Sequence, residues 1–251
     1  VGEIYLQDST GTDIRYNAIH WNGEQWKLKQ INFYTICGQS SLTPYPAKSI
    51  FAFNDNDIWI AMDGDQIAHW DGNSQDEIIC LPVSFSINKL WGENAHSLFA
   101  VGAAGNIIHY NGSNWQKQES GTDVDLTDIW GSPDGSVVWA CGWDDFKPTV
   151  LLRKRNGGNW EVVYNDQDHL FQFRPDSLSG TLHSVWTNNN EQVYVLTRHN
   201  LYLSNEDTRG EGIAQWQGEN WASRKVRGTT SNDIFTVGFQ GRIWHFNGKS
   251  W

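Results

Sequence analysis

The chain is poor in several things at once: one methionine, three cysteines and six prolines in 251 residues, with 18 Lys and Arg against 29 Asp and Glu. A formal charge of -11 and a pI near 5.0 leave no basic face for nucleic acid or an anionic membrane surface. The only run of three consecutive basic residues is Arg153-Lys154-Arg155, and it alternates faces on an expected strand. No apolar run approaches the ~18 residues of a membrane span, so no membrane insertion is expected. Cys37, Cys80 and Cys141 show neither metal-ligand spacing nor an even disulfide framework, and a Cys37–Cys80 bridge stays open. No segment sustains a 3.6-residue period, so almost no helix is expected.

What the chain does have is aromatic residues and glycine, with 15 Trp and 24 Gly. One phrase recurs six times. It reads His-Trp-Asn-Gly-Glu-Gln-Trp at 20–26, His-Trp-Asp-Gly-Asn-Ser-Gln at 69–75 and His-Tyr-Asn-Gly-Ser-Asn-Trp at 109–115. Weaker copies lie at 155–160 and 215–221, and the last, His-Phe-Asn-Gly-Lys-Ser-Trp, at 245–251. Asn-Gly and Asp-Gly between alternating apolar residues are hairpin turns. Repeats of some 30 to 60 residues built from such hairpins signal a radial all-β fold.

Aligned, each unit holds four strands. Strand A carries Leu90-Trp91-Gly92, Ile129-Trp130-Gly131 or Val185-Trp186. Strand B carries Ile58-Trp59-Ile60 or Phe99-Ala100-Val101-Gly102, strand C Ile107-Ile108-His109-Tyr110, and strand D begins at the motif Trp. Four-stranded units around an axis make a β-propeller, with six blades expected from six motif copies and five or seven left open. Val1-Gly2 aligns with Val101-Gly102 and Val237-Gly238 at the end of a strand, so 1–251 is expected to be one propeller domain from a longer protein. The interval from Gly218 to Gly248 is short by about ten residues against the other repeats, which points to residues absent near 221–228.

The wording of the units, as in the run from Ile129 to Gly142 and in Asp233 to Trp251, resembles a family of secreted bacterial propeller proteins. More distantly it is similar to the photosystem II stability and assembly factors and to the Asp-box turns of sialidases, although the Ser-x-Asp part of that box is missing from all six copies. In those families the Gly-x-x-Trp ending closes the hairpin between strands C and D. The resemblance implies an exported bacterial protein in the periplasm, at the cell surface or outside the cell. It implies a fold rather than a chemistry.

Residues that recur at one place in every blade are expected to be packing. That covers the motif residues Trp26, Trp115, Trp160, Trp221 and Trp251 with Gly23, Gly72, Gly112, Gly157, Gly218 and Gly248. His20, His69, His109 and His245 also match in position, but each belongs to a different blade and they cannot converge on one ion. A hydrogen bond across the hairpin is the expected role. Asn-Asp turns such as Asn54-Asp55-Asn56-Asp57 lack the spacing of a calcium loop, so no cofactor is expected and calcium is the lesser reading. No nucleophile elbow, zinc helix motif, phosphate loop or dinucleotide fingerprint occurs in a fitting context.

In a blade running A to D, the A–B and C–D turns share one end and the B–C and D–A loops the other. The insertions 3–17, 32–46, 143–148, 165–181 and 203–212 are all expected at the second end, where long loops on a rigid scaffold carry binding residues. Candidates there are Trp143, Asp144, Asp145, Phe146, Tyr5, Tyr16, Tyr34, Tyr45, His169 and Arg174, while Phe171 and Phe173 are expected to plug loops against the blades. Trp143 alone of the tryptophans falls outside the repeat. A non-catalytic interaction propeller with a protein partner is the leading expectation, followed by a lectin for a cell-surface glycan, then a carbohydrate-active hydrolase or lyase.

Overall fold

The computed structural model describes residues 1–167, 178–189, 191–197, 200–204, 211–215 and 223–251. His169, Phe171, Phe173, Arg174, Gly218 and Trp221 therefore lie outside the described residues. The fold is an all-β propeller of five blades, not the expected six. Blade 1 comprises Ala47–Asn54, Asp57–Met62, Gln66–Trp70 and Gln75–Cys80; blade 2 comprises Ile87–Asn94, Ser97–Gly102, Ile107–Tyr110 and Trp115–Gln118. Blade 3 is Leu126–Gly131, Val137–Gly142, Thr149–Arg155 and Trp160–Asp166, blade 4 Leu182–Trp186, Val193–Thr197, Asn200–Ser204 and Glu211–Gln215. Among the described residues blade 5 has three strands, Ser223–Thr230, Asp233–Gly238 and Ile243–Phe246. The first motif copy builds only the hairpin Ala18–Trp21/Trp26–Lys29, and the residues before it pair separately as Ile4–Gln7/Asp13–Tyr16. Two strands do not make a blade, which is why counting motifs overcounts.

Blade 4 departs from the alignment. Asn200–Ser204 pairs with strand B, with Val193 opposite Ser204 and Leu196 opposite Leu201, and Glu211–Gln215 becomes the fourth strand. The insertion at 203–212 thus joins strands C and D instead of B and C. The chain divides into two compact units, 1–102 with 108–117, and 103–107 with 118–251.

The turns explain the motif. At positions 22, 71, 111 and 247 the Asn or Asp side-chain oxygen accepts two backbone N–H bonds, for example Asp71 Oδ1 from Asn73 at 2.8 Å and Ser74 at 2.7 Å. The next residue has positive φ and must be glycine: +97° at Gly23 and +92° at Gly72. A Cβ on Gly72 would also meet Asn56 Oδ1 at 2.2 Å, because the C–D turn lies against the A–B turn, whereas one on Gly23 would meet nothing.

The repeated histidines do bond across the hairpin. His69 Nε2 lies 3.1 Å from Asp57 Oδ1, His109 Nε2 3.1 Å from Ser97 Oγ and His245 Nε2 2.7 Å from Asp233 Oδ1. Each ring also sits on the strand-B aromatic opposite, as His245 does on Phe235 at 4.1 Å. His20 has no strand B beside it and is exposed. The motif tryptophans pack where a neighbour exists. Trp115 meets Trp59 of blade 1 edge-on, Trp160 donates to Gln118 Oε1 at 2.9 Å, and Trp251 joins the core formed by Trp186, Tyr194 and Ile234. Trp26, in the lone hairpin, is 64% exposed, so the expectation of packing fails there.

Every strand A carries a bulge after its first residue, between Ala47 and Ser49, Ile87 and Lys89, Leu126 and Asp128, Leu182 and Ser184, and Ser223 and Lys225. Side chains at the third position accept a backbone N–H from the next blade: Ser49 Oγ from Leu90 at 2.9 Å, Asp128 Oδ2 from Val185 at 3.0 Å, Ser184 Oγ from Val226 at 3.1 Å. Asp128 is wholly buried. Its carboxylate takes a two-pronged pair from Arg227, Nη2 to Oδ1 at 2.7 Å and Nη1 to Oδ2 at 2.9 Å, with Ser184 Oγ donating and Lys225 Nζ at 3.2 Å. The Arg227 guanidinium lies 4.4 Å over the Trp130 ring. One carboxylate thereby joins the inner strands of blades 3, 4 and 5.

Cys37 and Cys80 form a disulfide that ties the 32–46 loop to the last strand of blade 1, while Cys141 is buried and reduced. Burial pushes the Cys141 thiol far up from its ordinary value. Three outcomes follow from these packings. Asp128→Ala strands Arg227 and Lys225 against buried backbone and should cost about 3–5 kcal/mol in urea denaturation, with Asp128→Asn milder because it keeps an acceptor for Val185. Gly72→Ala should cost more than Gly23→Ala, the latter losing about 1 kcal/mol through backbone strain alone. A thiol reagent under non-reducing conditions should find no reactive cysteine in the native protein and a single one, Cys141, after unfolding.

Candidate functional site

The B–C loop of blade 3 leaves strand B at Gly142 and returns at Thr149. Asp144 Oδ1 accepts the Phe146 N–H at 2.8 Å, a tight turn that fixes the loop tip. Lys147 ties the loop's far arm to the D–A connection through the Asp123 carbonyl at 2.8 Å and carboxylate at 3.1 Å. Phe146 is thereby held out at 96% exposure. No folding force places a phenylalanine in water, so its position reflects the turn around it. Asp145 is exposed beside it.

Trp143 is half-buried and stands edge-on to the His183 ring, centroids 5.4 Å apart. His183 is the second residue of strand A in blade 4, and it is buried. Its Nε2 lies 3.1 Å from Thr181 Oγ1, and Arg224 Nη1 reaches both ring nitrogens, at 3.0 and 3.1 Å. Arg224 holds the same second position in blade 5, and its guanidinium covers the Phe239 ring at 4.6 Å. Phe239 opens the B–C turn of blade 5, where Gln240 adopts a left-handed φ of 59°. The result is a continuous row: Trp143, His183, Arg224, Phe239. Lys225, next to Arg224, turns the other way and donates to the Thr127 carbonyl at 2.9 Å while facing Asp128.

The row can do three things chemically. It presents two aromatic faces, a planar cation sandwiched against one of them, and beyond them an exposed phenylalanine. Aromatic residues and arginine of this kind are the usual energetic centre of a protein interface. Among the described residues, no group of three or more His, Cys, Asp or Glu is arranged to hold a metal ion. No described helix is long and apolar enough to cross a membrane.

The candidates named from sequence are divided between the two units. Trp143, Asp144, Asp145 and Phe146 belong to the second unit, and Tyr5, Tyr16, Tyr34 and Tyr45 to the first. Tyr5 is exposed, donates to Glu3 Oε1 at 2.6 Å and carries Arg15 over its ring at 5.2 Å. Tyr16 pairs with Ile4 in the first hairpin. Tyr34 is fastened by Gln66, whose side-chain amide bonds its N–H and its carbonyl, each at 2.9 Å. Tyr45 packs on the core around Phe33 and Ile60. Tyr16 and Tyr34 are thus fixed through their backbones and Tyr45 through its ring. The residues that complete the row, His183, Arg224 and Phe239, escaped the sequence reading. Their signal was faint: His183 and Arg224 take the same offset in strand A, two positions before the invariant apolar residue.

No family model matches the chain. A stretch of 75 residues is 43% identical to the immune protein Tsi7 of Pseudomonas aeruginosa, covering 30% of this chain and 22% of that protein, so the chain spans less than a quarter of that relative. Among solved structures, YCF48 bound to a D1 peptide superposes over 99% of this chain and 75% of its own, with a TM-score of 0.60 and 14% identity. The extracellular domain of the hybrid two component system BT3049 of B. thetaiotaomicron gives 0.57 and 16% over 82% of this chain and 29% of its own. The β-propeller domain of Cps50 (Swd1) from Myceliophteria thermophila gives 0.56 and 11%, over 82% and 71%. These likenesses show the propeller fold.

Proposed function

We propose that this chain is a non-catalytic binding propeller that grips a protein partner with the row Trp143, His183, Arg224 and Phe239 and the projecting Phe146. The observation that carries the reading is the row itself: two aromatics and an arginine held by packing, with a phenylalanine presented at 96% exposure beside them. Preorganised aromatic and arginine side chains lose little conformational freedom on binding, and they dominate the energetics of protein interfaces. The stretch shared with an immune protein is in keeping with this role, as is a propeller of the same fold solved with a peptide bound. The Cys37–Cys80 disulfide favours an oxidising compartment, the periplasm, the cell surface or the medium.

The test is a photo-crosslinker in place of Phe146, used in cells that make and export the protein. A discrete protein adduct is expected, and it should vanish when Trp143→Ala and Phe239→Ala are added while the circular dichroism of the purified variant stays unchanged. For the partner so identified, Phe146→Ala should weaken binding by about 2 kcal/mol, roughly thirtyfold. No adduct, or one indifferent to both substitutions, would sink the reading.

A further inference from the structure

The run Arg153-Lys154-Arg155 lies apart from the row above. Arg153 pairs with Glu161 at 3.3 Å on one face of blade 3. Lys154 points to the other face, directly opposite Trp160 in the strand pair. There it lines a groove of about 580 Å³ together with Gln118, Glu119, Gly121, the C–D turn residues Gly157, Gly158 and Asn159, and Trp160.

Four features of the groove restrict its ligand. The Lys154 ammonium bonds the carbonyls of Gly157, at 3.3 Å, and Gly158, and among the described residues no carboxylate comes within ion-pair distance. An ammonium has three donors, so one remains for the groove. Burial also pushes the pKa of Lys154 down, which means its charge lacks full compensation. Glu119 lines the same groove without a hydrogen bond or ion pair to any described residue, and it repels a ligand carrying several negative charges. Gln118 spends its Oε1 on the Trp160 indole and keeps its amide N–H donors, while Asn159 supplies a second amide. Three glycines bare the backbone to a close approach, and Trp160 is the sole apolar side chain of the wall. The wall thus offers both polar and apolar surface, and a phosphate ester brings two negative charges against Glu119.

We infer that this groove binds an acidic saccharide, a sugar whose single carboxylate meets Lys154 and whose hydroxyls donate to Glu119 and accept from Gln118 and Asn159. Pockets of several hundred Å³ with a few convergent polar groups are of the size that holds one or two sugar rings. The site stands on its own residues and shares none with the protein-binding row.

The experiment is a calorimetric titration of the whole chain with galacturonate and with N-acetylneuraminate, alongside galactose and galactose-6-phosphate. Saturable binding of at least one of the two carboxylated sugars is expected, with galactose and the phosphate ester at least tenfold weaker. Lys154→Gln should lower that affinity at least tenfold, and Glu119→Gln should raise the affinity for galactose-6-phosphate relative to wild type. Glu119 is exposed, so its variant serves where Lys154→Gln disturbs the turn. Absence of saturable binding by both carboxylated sugars, or binding indifferent to Lys154→Gln in a folded protein, overturns the assignment and leaves the Phe146 crosslinking result untouched.

Discussion

In blades 2, 4 and 5 the bulged inner strand turns one backbone N–H out of its own sheet, and the blade before it supplies the acceptor. Ser49, Asp128 and Ser184 do so for Leu90, Val185 and Val226. A buried N–H left without a partner costs about 1–3 kcal/mol, so the side chain at this position decides whether two blades can lie against each other in register. Apolar packing between blades, such as that of Val137, Trp139 and Leu151 with Leu182, Val193 and Tyr202, supplies most of the stabilisation but is tolerant of sliding. The hydrogen bond is not.

Asp128 enlarges this device. Where Ser49 and Ser184 offer a hydroxyl, Asp128 offers a charge with no water around it, and desolvation of that charge is offset by the Arg227 fork, Lys225, Ser184 and the Val185 amide. The pairing locks strand A of blade 5 beside those of blades 3 and 4. Arg224 stands at the head of that strand and His183 at the head of its neighbour, so the aromatic-cation row inherits its rigidity from the buried carboxylate below. Fold and candidate site share one framework.

What could be read from sequence was what repeats locally. The Asn-Gly turns, strand order and the hydrogen bond of His across the hairpin each lie within one hairpin, and they recur often enough to align. The blade count erred because the motif marks a hairpin, and Trp21–Trp26 shows that a hairpin can exist without its blade. Blade 4 was misaligned because Asn200–Ser204 follows strand B after only a short link and carries the right alternation, while the motif copy at 215–221 invited a later third strand. The Asp128–Arg227 pair spans 99 residues and left no local trace. The same holds for the row: Trp143 was legible because it broke the pattern, whereas His183, Arg224 and Phe239 sat inside the pattern and were brought together only by blade stacking.

Native-state amide hydrogen exchange at Leu90, Val185 and Val226 tests the central claim most directly. If side-chain acceptors on the preceding blade hold the blades in register, these three amides exchange among the slowest of the protein, and Ser184→Ala accelerates Val226 well ahead of its strand neighbours. Exchange of all three at the rate of the blade edges, or a Val226 amide unchanged by Ser184→Ala, contradicts it.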